Sequence, residues 1–162
     1  MPVCLDFDHS RDDGQAVPKW LRGREPVEFQ EQSNQCITIG LINNMPDEAL
    51  KTTERQFLSL LDAASDGIQI RLSLYSLPEI PRRESHRRYI KNFYSSIENL
   101  WNGHVDGLIV TGREPLTPNL KDEPYWENFT RLLEWAQDNT HSTVWSCLAA
   151  HAAVLHMNGI ER

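Results

Sequence analysis

Apolar positions along the chain fall into four short runs separated by longer stretches of helical period. Cys36–Asn43 (CITIGLIN) is almost continuously apolar, Ile68–Tyr75 (IQIRLSLY) alternates, Val105–Val110 (VDGLIV) is compact and apolar, and Ser142–Ser146 (STVWS) is β-branched and aromatic. Each predicts a strand, and the near-continuous Cys36–Asn43 run predicts one covered on both faces, as in a parallel sheet. Between them, Phe57, Leu58, Leu60, Leu61 and Ala64 form an apolar stripe on a helix starting near Asp47 and stopping at Asp66-Gly67. Ile90, Phe93, Ile97, Leu100 and Trp101 predict a second helix over Tyr89–Trp101, and Trp126, Phe129, Leu132, Leu133 and Trp135 a third over Pro124–Asp138. Leu148–Met157 is rich in Ala and Leu and predicts a fourth, closed by Asn158-Gly159.

Strands alternating with helices predict an α/β class: a three-layer, mainly parallel sheet with helices on both faces. Residues 36–162 carry this pattern. Met1–Gln35 contains Pro2, Pro18 and Pro26, many charges and no sustained period of 2 or 3.6, which predicts an irregular N-terminal arm able to pack on a partner subunit in a homodimer. Ser76–Arg88, with Pro78, Pro81, Arg82, Arg83, Arg87 and Arg88, reads as a long exposed loop. Its basic cluster suits either a solvated face or a site for a phosphate-bearing carrier.

Composition narrows the partners. With 16 Lys and Arg against 23 acids the net charge is −7, and no basic stripe offers a nucleic acid a landing place. No apolar run reaches membrane length, and acids interrupt the N-terminus before a signal core could form, so a membrane is not expected either. Cys4, Cys36 and Cys147 are odd in number and far apart, which supports neither a disulfide framework nor a metal site with paired ligand spacing and suggests a reducing cytoplasm. A metabolite-handling protein fits these limits.

Cys147 stands where a strand gives way to a helix. Such a residue projects from the carboxyl end of the sheet among the helix's unpaired N–H groups, the position of a nucleophile elbow. A helix N-terminus stabilises an anion by only about 0.3–1 kcal/mol, so a second group would have to complete activation of the thiol. His151, four residues on, is better read as a helix-packing residue than as that group, because a non-helical Cys147 spoils the i, i+4 geometry. The other reading of Cys147 is a buried, inert thiol. Gly112, just beyond the third strand, suits either a turn or close approach of backbone to a ligand at the sheet edge.

Taken together, Ile39–Pro46 (IGLINNMP), Glu54–Leu61 (ERQFLSLL), Asp106–Gly112 (DGLIVTG), Tyr125-Trp126 and Ser146–Ala153 (SCLAAHAA) resemble the homoserine O-acyltransferase family of methionine biosynthesis, over roughly Cys36–Arg162. That family is similar in fold to class I glutamine amidotransferases. The resemblance implies a ping-pong transfer with acyl-CoA as co-substrate, no permanently bound cofactor, and L-homoserine as acceptor. Cys147 matches the nucleophile. The family's catalytic His and Glu fall beyond Arg162, so the chain resembles the N-terminal half of such an enzyme, its sheet truncated after the nucleophile helix. The Lys that follows the Met-Pro pair in the family is replaced by Asp47-Glu48. Lys51 is the substitute that an apparent two-residue insertion offers. Thr117 falls at the position associated with acyl choice, where Glu goes with acetyl and Gly with succinyl transfer. Two other functions remain open: an amidotransferase-like hydrolase, against which Trp145 and Ala149 flank the Cys where that class has glycines, and a non-catalytic α/β binding module.

Overall fold

The computed structural model describes residues 2–6, 17, 18, 20, 22–24 and 36–161. Among them five parallel strands form one sheet: β1 (Val3–Asp6), β2 (Cys36–Ile42), β3 (Gln69–Tyr75), β4 (Gly107–Thr111) and β5 (Ser142–Ser146), in the order β1-β3-β2-β4-β5. The helices are α1 (Asp47–Ala64), α2 (Glu84–Phe93), α3 (Ile97–Trp101), α4 (Trp126–Asn139) and α5 (Leu148–Asn158). Two apolar clusters lie on opposite faces of the sheet. Leu50 and Leu58 of α1 and Tyr89 and Phe93 of α2 pack with Leu41, Leu72 and Ile109 on one face. Leu100 of α3, Phe129 and Leu132 of α4, and Leu148 and Ala152 of α5 pack with Ile42, Leu108 and Val110 on the other. Alternation of side chains along each strand divides the core in this way, and the three-layer α/β architecture is the expected one.

The four expected strands are present, and β1 is a fifth. It pairs in parallel with β3, Val3 opposite Ile70 and Leu5 opposite Leu72, and both Val3 and Leu5 are buried. Only four residues long and flanked by Pro2, it is too short for its alternation to stand out in the sequence. The rest of the proposed arm lies largely outside the described residues.

Two other expectations are corrected. Ser76–Arg88 is not one exposed loop: α2 begins at Glu84, and Arg82 is buried. The helix expected over Tyr89–Trp101 is two helices. Tyr94 is extended, the Ser95 N–H donates to the Leu74 carbonyl, and the Ser96 hydroxyl accepts from the Glu98 N–H to start α3. Ser at such a position competes with helix continuation by capping the next one.

The inward face of α1 also differs from the stripe read in the sequence. Leu50, Thr53, Glu54 and Leu58 are buried at helical spacing, whereas Leu60 is 56% exposed. One inward position is thus ionisable. β5, read in the sequence as a buried strand, is the last strand in the sheet order, and its Val144 is 51% exposed. Val144 lies level with Ile109, on the face that α1 and α2 cover elsewhere. Trp145, on the other face, packs against Phe129 with ring centroids 5.7 Å apart.

No helix among the described residues is long and apolar enough to cross a membrane.

Candidate functional site

β2 is followed through α1 by β3 on one side, whereas β4 lies on its other side. The chain therefore reverses direction between β2 and β4, and in open α/β sheets ligands bind outside the carboxyl ends of the strands at such a point. The loop Asn43–Pro46 after β2 and Gly112 after β4 border this crevice, and the Thr111 hydroxyl joins the two strand ends by accepting from the Asn44 N–H at 3.0 Å. The next strand, β5, delivers Cys147 to the same edge.

Cys147 occupies the N-cap position of α5 with φ 59° and ψ −131°, and it is exposed. A side chain in this backbone region is strained, with a cost of order 1–3 kcal/mol, and such strain concentrates at functional sites. The turn is held by the Gly112 N–H, which donates to the Ser146 carbonyl at 3.2 Å, and by the Ala150 N–H, which donates to the Cys147 carbonyl at 3.1 Å. Gly112 is needed for the approach of the two backbones. A Cβ there would lie 2.3 Å from the Ala149 nitrogen and 2.8 Å from the Leu148 carbonyl carbon. The buried-thiol reading of Cys147 is thereby excluded, and Gly112 serves the packing of the elbow itself. Beneath the elbow, a recess bordered by Asn44, Thr111, Gly112 and Tyr125 holds only about 10 Å³, room for no more than a single water.

The opposite rim is polar and buried. Asn43 donates through Nδ2 to the Leu50 carbonyl at 3.0 Å and the Tyr94 hydroxyl at 3.1 Å, and its Oδ1 accepts from the Met45 N–H at 3.3 Å. Asn44 Oδ1 accepts from the Leu77 N–H at 3.1 Å. The Arg82 guanidinium donates to the carbonyls of Met45 and Asn43, and to Asp47 Oδ1 at 3.4 Å. Asp47 in turn accepts from the Arg83 N–H at 2.9 Å, just ahead of α2. Arg82 thus fastens the loop after β2 to the loop after β3. Arg83, by contrast, is exposed and pairs with Glu48 on the surface.

Behind this rim Glu54 is fully buried and accepts from the Tyr89 hydroxyl at 2.8 Å and the Tyr94 hydroxyl at 2.5 Å. Burial outweighs these donors and the nearby Lys51 and Arg82 charges, and pushes the Glu54 carboxyl up to about 7. Tyr89 and Tyr94 are raised in turn, first by burial and then by the Glu54 carboxylate.

Of the residues singled out in the sequence, Cys147 and Gly112 meet at the elbow. Lys51 is exposed on α1, its Nζ 4.5 Å from the centre of the Tyr89 ring. Thr117 belongs to the loop between β4 and α4, where its N–H donates to Glu123 Oε1 at 2.7 Å and its hydroxyl to the Asn119 carbonyl at 2.7 Å. His151 is exposed on α5 rather than packed. His86 stands 3.4 Å from Asp47, and His156 stands 3.5 Å from Glu134. Sequence reasoning missed Asn43, Glu54 and Arg82; polar residues at inward helical or strand-end positions were the available signal.

The family model described as HTS, homoserine O-succinyltransferase, matches residues 24–162. The chain is 52% identical over 126 residues to a homoserine O-succinyltransferase of Rhodopseudomonas palustris, covering 78% of this chain and 38% of that protein. It is 46% identical over 142 residues to one of Bradyrhizobium japonicum, covering 87% and 41%. A third, of Thiothrix nivea, is 38% identical over 156 residues, covering 96% and 42%. The chain therefore spans about two fifths of the length of these curated relatives.

Proposed function

The chain belongs to the homoserine O-succinyltransferase family, and from that premise we propose that it carries the nucleophile of an acyl transfer from acyl-CoA to the hydroxyl of L-homoserine in methionine biosynthesis. The observation that carries this reading is the exposed Cys147 in a strained turn at the start of α5. Its thiolate attacks the thioester carbonyl, the bond from that carbon to the CoA sulfur breaks, and CoA leaves and takes a proton. The homoserine hydroxyl then attacks the cysteinyl thioester, gives its proton to a base, and Cys147 departs as thiolate. Unpaired N–H groups at the start of α5 are suited to the oxyanion in both steps.

Succinyl is the favoured acyl group, on the names of the relatives. Lys51 and Thr117 remain proposed contributors at the oxyanion and acyl positions. The base and its carboxylate are expected in sequence corresponding to the remaining three fifths of the relatives. Three free cysteines fit a reducing cytoplasm as the place of action.

The test has two stages. Iodoacetamide labelling from about pH 6 to about pH 9 should modify Cys147 faster than the half-buried Cys4 and Cys36. Incubation with succinyl-CoA should then add one acyl group, absent in Cys147→Ser, while acetyl-CoA tests the other donor. Equal labelling of the three thiols, or no adduct on Cys147 with either donor, overturns the reading. Glutamine hydrolysis by a chain extended to the relatives' length would assign the site to the amidotransferase-like class.

A further inference from the structure

At the amino ends of the same strands, far from Cys147, a second group of side chains converges. Thr38 of β2, Asp106 immediately before β4 and His141 immediately before β5 continue the strand register that pairs Ile39 with Gly107 and Gly107 with Ser142. Backbone bonds fix this alignment: the Asp106 N–H donates to the Thr38 carbonyl at 2.9 Å, and the His141 N–H donates to the Asp106 carbonyl at 3.1 Å. His104, in the turn between α3 and β4, brings its ring to 5.5 Å from the His141 ring, the two planes inclined at 76°. One ligand atom from each of His104, Asp106 and His141 lies within 4.8 Å of the other two.

The carboxylate is oriented. Asp106 Oδ2 accepts from both the N–H and the hydroxyl of Thr38, each at 2.8 Å, while Oδ1 faces His141 Nε2 at 3.9 Å. Holding one carboxylate oxygen with donors so that the other points at a metal is the usual work of residues behind a metal ligand. Two imidazoles and one carboxylate suit zinc and its neighbours in the transition series, and they suit magnesium and calcium poorly.

We propose that His104, Asp106 and His141 form a binding site for a divalent transition-metal ion, with zinc the model case and water completing the coordination. In tetrahedral zinc sites, bonds of about 2.0–2.2 Å place ligand atoms ~3.3 Å from one another. The separations here are no more than 4.8 Å, an excess of up to about 1.5 Å that side-chain rotation of the two exposed imidazoles would have to take up on binding. The sequence hides this site, because the register, and no local spacing, brings His104 and His141 together. β5 lies between His141 and Cys147 and, at about 3.3 Å per residue, sets the site about 20 Å from the elbow, so an ion there fastens β4 to β5 and stands apart from the acyl-transfer chemistry.

The test titrates the purified chain with Zn²⁺ and, as a spectroscopic probe, with Co²⁺. One equivalent should bind with a Kd in the micromolar range. The cobalt spectrum should lack the intense near-ultraviolet band of a thiolate ligand, separating this site from Cys4, Cys36 and Cys147. His104→Gln and His141→Gln should each weaken binding at least tenfold, and the double variant should abolish it, while His156→Gln leaves it unchanged. Saturating Zn²⁺ should raise the melting temperature of the parent by about 5–10 °C and that of the double variant not at all. Unchanged affinity in the double variant, a thiolate band with cobalt, or a Kd in the millimolar range overturns the proposal. Both histidines are exposed, so the variants should fold, and a circular dichroism spectrum matching the parent confirms that loss of binding is loss of ligands.

Discussion

On the β5 side of the crevice the protein relies on backbone against backbone: Gly112 lies directly on the first turn of α5, and Cys147 takes a conformation that few side chains tolerate. On the β2 side it relies on buried polar side chains, with Asn43, Glu54, Tyr94 and Arg82 joined through hydrogen bonds to the loop after the strand. The first rim is tight because nothing larger than hydrogen fits. The second is tight because every displaced donor or acceptor would be left without a partner in a dry interior. A rim of the first kind fails by steric overlap and is indifferent to pH; a rim of the second kind responds to protonation.

The largest expected effect strikes the first rim. Gly112→Ala forces a methyl against the Ala149 nitrogen, a backbone atom with no rotamer to escape into. Overpacking of this kind costs about 3 kcal/mol or more. Denaturant unfolding should show that loss, together with slower alkylation of Cys147; a variant as stable and as reactive as the parent would mean that the elbow does not depend on this approach.

Next comes the polar rim. Because the folded Glu54 carboxyl titrates at about 7, above its ordinary 4.5, the fold favours the protonated form. Its stabilising contribution is complete below the ordinary value, declines as pH rises toward about 7 and is constant above. Linkage sets the size of the decline at about 3 kcal/mol. Glu54→Gln removes the titrating group, so the difference in stability between parent and variant should change across that interval and stay level outside it. Parallel pH profiles for the two proteins would break the comparison.

The smallest effect is a gain. Cys147→Gly relieves the strain at φ 59° and loses little burial, because the side chain is exposed. Strain relief exceeds the added flexibility of the unfolded chain, and stability should rise by about 1 kcal/mol. A variant less stable than the parent would show that the thiol itself, and not its backbone, holds the turn.

The two rims were also unequally legible. The β-branched run ending at Ser146 and the Ala-rich segment after Cys147 encode the elbow locally, so its position follows from periodicity, and the family resemblance adds its chemistry. Asn43, Glu54 and Arg82 meet from three separate segments. Within each segment they look like an ordinary loop residue, an ordinary polar helix position and part of a basic surface. The start of α2 was hidden for the same reason, since the residue before it, Arg83, is held through its N–H by Asp47, well upstream in the chain. β1 was hidden by brevity, and the break at Tyr94 by an apolar period that carries on across Ser95-Ser96.

The strand order has a consequence for how the chain is assembled in time. β2, although made early, gains its neighbour β3 with partners such as Leu41 and Leu74, and its other neighbour β4 only with partners as distant as Leu41 and Ile109. β1 likewise waits for Ile70 to pair with Val3. Pairings between remote segments carry the larger loop-closure entropy and form slowly. The crevice between β2 and β4 is therefore a late product of folding: the nearer pairs, β2 with β3 and β4 with β5, close first, the elbow seats against Gly112 along with the second of them, and the two rims meet when β2 pairs with β4.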